Sequence, residues 1–267
     1  MSAPSTFDFS GRTFIVTGGT RGIGYAYSDA LAKAHARVAI IYRTRKDDAE
    51  KAAKELSEKH GVSVMAFQCD TVNAEQTVRM FADIDKRLGP VTGVIANSAG
   101  VSVMKRAEEL TNEDFKYVYD VNVLGVFNSA RAAQKLWQGR EPKNFSIVVT
   151  SSISSKIINQ AATNEPLRQA FYNSSKAAVS HLARALAAEW AREKIRVNVV
   201  SPGYVDTDQT RGIDKNILEH QKKNIPMGHF ARPEQITGQA LLLLSEHASY
   251  MTGGEYFVDG YVGRSHR

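Results

Sequence analysis

Strand-length runs of Val, Ile and Ala alternate with helix-length amphipathic segments along almost the whole chain. The strand-like runs are 13–17, 38–42, 62–69, 93–97, 146–151, 196–201 and 255–258. Several are apolar at nearly every position, which is what a strand covered on both faces requires. Helical patterns fill the intervals at 23–34, 47–60, 73–88, 111–136, 171–193 and 233–245. Asn73 and the Thr111/Asp114 pair supply helix-start signals, and Gly61 and Gly89 follow helix ends. Alternating β and α units specify an α/β fold: a doubly wound, parallel, seven-stranded sheet with helices on both faces. Ligands of such sheets sit at the carboxyl ends of the strands.

No repeat, low-complexity tract or Pro/Gly/Ser-rich linker interrupts the alternation. Residues 1–267 are therefore expected to form one domain, with a long loop at about 208–229. A chain of this length buries a sizeable core without covalent staples. Its single cysteine, Cys69, excludes an internal disulfide and reads as a small buried residue in a reducing, cytoplasmic setting. The polar N-terminal segment lacks the apolar stretch of a secretory signal, and the longest aliphatic runs, 38–42 and 240–244, are far too short to cross a bilayer. The formal net charge of +6 raises the question of nucleic acid. The Lys and Arg residues, however, are interleaved with Asp and Glu, as in 46–59, the pattern of a solvated helix face. Neither nucleic acid nor a membrane is expected as a partner.

Thr17-Gly18-Gly19-Thr20-Arg21-Gly22-Ile23-Gly24 follows the first strand and opens the first helix. Glycines suit a backbone that must turn tightly and approach a pyrophosphate closely, and a helix N-terminus adds free N–H groups and partial positive charge. In this position the loop predicts a Rossmann-type dinucleotide site, although its Thr-Gly-x3-Gly-x-Gly spacing differs from the plain G-x-G-x-x-G fingerprint.

That spacing resembles the short-chain dehydrogenase/reductase family, and further matches follow in order along the chain. Asp70 stands just after the third strand, where the family contacts adenine. Asn97-Ser98-Ala99-Gly100 is similar to the family's Asn-Asn-Ala-Gly, with Ser98 as a departure. Asn122 matches the family's helix asparagine, Ser152 its strand-end serine, and Tyr172 with Lys176 its Tyr-x3-Lys pair. Pro202-Gly203 follows the sixth strand and Thr252-Gly253-Gly254 precedes the seventh. The resemblance implies cofactor contacts at Gly18, Thr20, Arg21, Gly22, Ile23 and Gly24. It extends them to Arg43, Asp70, Thr71, Asn97, Ala99 and Gly100, and to Tyr172, Lys176, Gly203, Val205, Thr207 and Gln209.

Tyr172 and Lys176 are four residues apart and share one helix face. A free phenol, with a pKa of about 10, is a poor base at neutral pH. A neighbouring ammonium favours the phenolate, and lowering the pKa by roughly three units takes about 4 kcal/mol. Lys176, together with an oxidised nicotinamide, is expected to supply it. Tyr172 then exchanges a proton with the substrate oxygen while hydride moves to or from the cofactor. A serine holds that oxygen. Local sequence does not choose among Ser151, Ser152, Ser154 and Ser155; the resemblance selects Ser152. It also gives Asn122 the role of supporting a helix irregularity and a water next to Lys176. The seven His residues show no ligand spacing with acidic or Cys partners, so no metal is expected.

The second strand runs into Tyr42-Arg43-Thr44-Arg45, with no acidic residue before Asp47 to hold ribose hydroxyls. Arg43 and Arg21 suit a 2′-phosphate, so NADP(H) is the expected cofactor. Polar residues in 154–171 (Asn159, Gln160, Thr163, Asn164) and in 208–229 (Gln209, Asn216, Gln221) suit a hydroxylated substrate, contacted by Ser152, Ser154, Asn159, Tyr172 and Tyr204. The stretches 148–152, 171–176 and 201–210 are similar to the fungal NADP-dependent mannitol 2-dehydrogenases. That resemblance implies a polyol/ketose substrate, D-mannitol and D-fructose above all, with sorbose, xylulose or arabitol as neighbours, and a homotetramer. A 3-oxoacyl thioester reductase is the alternative enzyme. A non-enzymatic NADP-sensing regulator is disfavoured, because Ser152, Tyr172, Lys176 and Asn122 are all kept. The C-terminus departs from the family's Val-Asp-Gly-Gly: Tyr261 follows Gly260, and a basic tail ends the chain.

Overall fold

The computed structural model describes residues 7–97, 100–160, 165–208, 210 and 214–261. Ser98, Ala99, Thr163, Asn164, Gln209 and the basic tail lie outside the described residues.

The strands are β1 (Thr13–Thr17), β2 (Arg37–Tyr42), β3 (Val64–Gln68), β4 (Val91–Ala96), β5 (Ser146–Thr150), β6 (Arg196–Pro202) and β7 (Glu255–Val258). They form one sheet in the order β3-β2-β1-β4-β5-β6-β7, with every pairing parallel. The helices are α1 (Gly22–Lys33), α2 (Lys46–His60), α3 (Ala74–Leu88), α4 (Asn112–Tyr119), α5 (Gly125–Trp137), α6 (Ala170–Trp190), α7 (Lys215–Lys223) and α8 (Glu234–Leu244).

Successive strand residues point to opposite faces, and each face has its own core. Ile15, Ile41, Val94, Ile147 and Val197 pack with Phe81 and Ile84 of α3, Ala130 of α5 and Val179 of α6. Phe14, Val16, Ile40, Ile95 and Val148 pack on the other side with Tyr27 and Leu31 of α1, Leu56 of α2 and Leu241 of α8. Each such aliphatic side chain contributes about 1.5–3 kcal/mol on full burial, which is why apolar residues fill almost every strand position. Cys69 is buried on the first face. Its exposed counterpart, the 46–59 stretch, carries Lys46–Glu50, Lys51–Glu55 and Lys54–Glu58 pairs along α2, a solvated face.

The start signals act as read. Asn73 accepts a hydrogen bond from the Gln76 N–H, Thr111 and Asp114 form a reciprocal capping box, and Gly61 ends α2 in the left-handed region. Two expectations need correction. The single helix over 111–136 is two helices, α4 and α5, joined by one wide turn at Asp120–Leu124 with π-type bonding. The 208–229 loop contains α7, capped by Asp214, whose side chain accepts from the Asn216 N–H. Among the described residues no helix is long and apolar enough to cross a membrane.

Candidate active site

A cavity of about 360 Å³ opens where β1, β4, β5 and β6 end. Strand order reverses between β1 and β4, the switch point at which open α/β sheets bind ligands. The lining combines the glycine loop on one side with the β5 and β6 ends on the other.

The loop is built for close backbone approach. Gly18 sits at φ +63°, and a Cβ there would meet the Asn97 carbonyl oxygen at 2.7 Å. A Cβ on Gly24 would collide with the Gly18 carbonyl oxygen. Arg21, at the N-cap of α1, places no side-chain cap on the helix, so the first turn faces the cavity uncapped. Thr20, Gly22 and Ile23 also line it, and the Thr207 side chain lies against Gly22. This cradle fits the pyrophosphate of a dinucleotide by its shape and by its donors. Asn97 and Gly100 after β4, and Gly203, Val205 and Thr207 after β6, also line the cavity. Gly203 is pressed so closely on β7's end that a Cβ would lie 2.7 Å from Asp259 Cα.

Arg43 and Arg21 are both exposed, and among the described residues neither guanidinium has a carboxylate partner. Arg43 immediately follows β2, but neither it nor Asp70 or Thr71 belongs to the cavity lining. Asp70 Oδ1 accepts from the Val72 N–H, and the Thr71 carbonyl oxygen accepts from Asn128 Nδ2. Both residues stand at the end of β3, beside the cavity rather than in it.

Ser152, Tyr172 and Lys176 are brought together. Tyr172 and Lys176 lie one turn apart on α6, with the Lys176 nitrogen 5.7 Å from the Tyr172 ring centre. Lys176 is buried, donates from Nζ to the Thr150 carbonyl oxygen at 3.2 Å, and is pulled down to about 8 by burial. Burial also moves Tyr172, upward from the usual phenol value, and a hydrogen bond with Ser152 opposes it. The expected lowering by Lys176 is therefore not present in the protein alone, because two buried groups without a counter-charge both favour their neutral forms.

Tertiary contacts sort the serines, which local sequence left open. Ser151 Oγ donates to the Lys176 carbonyl oxygen, and Ser155 Oγ donates to Glu255 Oε1. Ser152 Oγ faces Tyr172 and accepts from the Ser154 N–H. Ser154 lines the cavity behind it, its Oγ accepting from Asn159 Nδ2.

Asn122 occupies the wide turn and is fully buried. Its Oδ1 accepts from the Val101 N–H, and its Nδ2 donates to the Val101 carbonyl oxygen and to Ser175 Oγ. It lies outside the cavity lining and ties the wide turn to α6 next to Lys176. This bears on the geometry of α6 directly, through protein contacts.

The far wall holds Asn159, Tyr204 and Gln221. Tyr204 stacks on Phe230, with ring centres 5.2 Å apart, over a small apolar cluster around Ile153 and Ile225. Asn159 is 8% exposed and Gln221 3% exposed. Gln221 Nε2 donates to the Gln160 carbonyl oxygen, yet Asn159 Oδ1 and Gln221 Oε1 have no hydrogen-bond partner among the described residues. In the sequence Gln221 is one of several polar residues of 208–229; its burial follows from α7, which turns it inward. Among the described residues no three His, Cys, Asp or Glu side chains gather as a metal-holding group.

A family model described as enoyl-(acyl carrier protein) reductase matches residues 18–261. The sorbose reductase of Schizosaccharomyces pombe is 37% identical over 257 residues, 96% of this chain and 97% of that protein. The NADP-dependent mannitol dehydrogenase of Alternaria alternata is 38% identical over 256 residues, 95% of this chain and 93% of that protein. The crystal structure of a short-chain type dehydrogenase/reductase from Mycobacterium marinum superimposes with a TM-score of 0.86 at 34% identity, covering 95% of this chain and 96% of that one.

Proposed function

The chain belongs to the short-chain dehydrogenase/reductase family, and we propose that it interconverts a polyol and a ketose with NADP(H), D-mannitol and D-fructose being the pair. The carrying observation is two buried oxygens without a partner among the described residues, Asn159 Oδ1 and Gln221 Oε1, on residues that line the same cavity as Ser152 and Tyr172. Buried acceptors call for donors, and each one left unpaired costs about 1–3 kcal/mol. A linear polyol or open-chain ketose brings several hydroxyl donors; an acyl thioester tail brings none. The relatives that act on mannitol and sorbose support the same class.

In reduction, the Tyr172 hydroxyl donates its proton to the substrate carbonyl oxygen, while Ser152 donates a hydrogen bond to that oxygen and holds it. Lys176 holds Tyr172's surroundings positive whenever it is protonated, and Asn122 fixes the turn that α6 rests on. The hydride is what NADPH supplies when bound, with the glycine loop holding the pyrophosphate and Arg21 and Arg43 meeting the 2′-phosphate. In oxidation, the Tyr172 phenolate takes the hydroxyl proton. Because fructose is mostly a cyclic hemiketal, only its scarce open-chain form reacts, and its apparent KM is high.

Initial rates with NADPH across fructose, sorbose, xylulose, ribulose and an acetoacetyl thioester test the substrate. A sugar at the head of the order supports the proposal. A thioester faster than every sugar replaces it with the second reading, a 3-oxoacyl thioester reductase. That reading is favoured by the name of the matching family model and by the apolar cluster under Tyr204.

The proposal includes a homotetramer in the cytoplasm. Phe115, Tyr117 and Leu124 are large apolar side chains exposed on α4 and the wide turn, surface that a second copy would cover. Light scattering at micromolar concentration checks the assembly, and a monomer mass refutes it. The lone reduced Cys69 supports the compartment, and fractionation checks it.

A further inference from the structure

Glu255 opens β7 with its side chain only 2% exposed. Three serine hydroxyls donate to its Oε1: Ser155 at 2.7 Å, Ser201 at 2.8 Å and Ser180 at 2.9 Å. Arg184 holds Oε2 at 3.3 Å. A carboxylate offers about two lone-pair sites on each oxygen, so the three hydroxyls crowd Oε1 while Oε2 takes the Arg184 contact alone. Hydrogen bonds to a charged acceptor are also roughly twice as strong as neutral ones.

The four donors stand on three parts of the frame around the site. Ser155 ends the turn that starts at Ser152, and its N–H donates to the Ser152 carbonyl oxygen at 3.0 Å. Ser180 and Arg184 continue along α6 the row begun by Tyr172 and Lys176, at intervals of four residues and hence on one helix face. Ser180 Oγ also lies 2.8 Å from Ser151 Oγ, which donates to the Lys176 carbonyl oxygen. Ser201 belongs to β6, just before Pro202 and Gly203.

We propose that Glu255 is the positioning residue of the Ser152–Tyr172–Lys176 site: its carboxylate pins the Ser152 turn to α6 and so sets the spacing of the Ser152 and Tyr172 hydroxyls. The inference rests on the reading of those two hydroxyls as the groups that meet the substrate oxygen. Without the carboxylate, three hydroxyls lose their shared acceptor in a water-poor interior, and the half-exposed Arg184 loses its tie to β7. The turn and the helix then repack to find others.

Glu255→Leu and Glu255→Gln, each also in a Tyr172→Phe background, test it. The difference spectrum between each chain and its Tyr172→Phe counterpart isolates the Tyr172 phenolate titration, NADPH fluorescence gives cofactor affinity, and ketose reduction gives kcat and KM. Leucine is expected to move the Tyr172 titration upward, because the Ser152 bond that lowers it is lost. It is expected to cut kcat by about 10- to 100-fold, the scale of a small misplacement, with NADPH affinity kept. Glutamine, which retains an oxygen acceptor, is expected to restore most of both. Wild-type titration and kcat in Glu255→Leu overturn the proposal. So does a parallel loss of kcat and NADPH affinity that glutamine does not rescue, since that marks a general structural role. If the leucine variant fails to fold, Ser155→Ala and Ser180→Ala take its place: lowered kcat with intact NADPH binding supports the proposal, and wild-type kcat in both refutes it. If no sugar is turned over by the wild type, the functional reading fails while the Tyr172 titration still decides the positioning role.

Discussion

The Lys176 nitrogen lies 5.7 Å from the centre of the Tyr172 ring and bonds instead to the Thr150 carbonyl oxygen at 3.2 Å. The ammonium thus acts on the phenol through space while its own hydrogen bond fixes it to the end of β5. Burial drives the two pKa values apart, Tyr172 up and Lys176 down to about 8, so at neutral pH the pair stands as phenol and ammonium. That is the protonation state from which a carbonyl is reduced.

Tyr172→Phe removes the proton donor and leaves the glycine loop untouched. Ketose reduction is expected to fall by at least about 100-fold, the usual scale for a lost general acid, with NADPH binding unchanged by fluorescence titration. Turnover near the wild-type rate in this variant contradicts the assignment.

Lys176 carries a signed pH effect on stability. Its pKa falls from 10.5 to about 8 on folding. Below that value the folded chain bears a buried ammonium that the unfolded chain keeps in water. Between about pH 8 and pH 10 the folded chain releases the proton first, so stability rises with pH across that window. Tyr172, shifted upward, adds nothing below its ordinary value near pH 10. Urea melts of wild type and Lys176→Met at pH 7, 8.5 and 10 should show the wild type gaining on the variant by about 1–3 kcal/mol. A constant difference across that range excludes a titrating Lys176.

Arg43→Asp puts a carboxylate where the proposal places the 2′-phosphate. NADPH affinity is expected to drop by about 10-fold or more, the worth of one charge-assisted contact, while NADH affinity holds or improves. Equal losses for both nucleotides would show that Arg43 does not read the phosphate.

Gln221→Met keeps the side chain's length and removes a buried oxygen without a partner among the described residues, together with the long 3.3 Å bond from Nε2 to the Gln160 carbonyl oxygen. The thermal midpoint is expected to stay level or rise, since an unsatisfied acceptor is relieved. The KM for the preferred ketose is expected to rise by about 10-fold, the loss of one hydrogen bond to substrate. A raised midpoint with an unchanged KM would remove Gln221 from the substrate site.

The α/β alternation carried most of the fold. β1 and β7 occupy the residues their apolar runs marked, and the glycine loop lies between β1 and α1 as its placement required. Two features had no local signal. α7 has three Lys and only two apolar residues, Ile217 and Leu218, too few for a stripe to announce it; its inward residue is Gln221. The wide turn at Asp120–Leu124 follows from Asn122 bonding across to Val101 and Ser175, contacts made only in the folded chain. The serines divide in the same manner. Ser155 is claimed by Glu255, 100 residues away in sequence, and Ser151 by the Lys176 backbone, 25 residues away. Nothing in 151–155 itself encodes that division, and for the same reason Glu255 escaped notice as part of the site.

The strand order β3-β2-β1-β4-β5-β6-β7 carries an evolutionary corollary. Every strand on one side of the β1–β4 seam comes from the chain before Gly89, and every strand on the other side comes after it. The groups proposed to choose between nucleotides, Arg21 and Arg43, belong to the first stretch. The groups proposed to choose between sugars, Asn159, Tyr204 and Gln221, belong to the second. A lineage can therefore drift in its taste for sugars by changes confined to one segment of coding sequence, while the other inherits its coenzyme unaltered. A single recombination near Gly89 would exchange the two preferences as intact blocks.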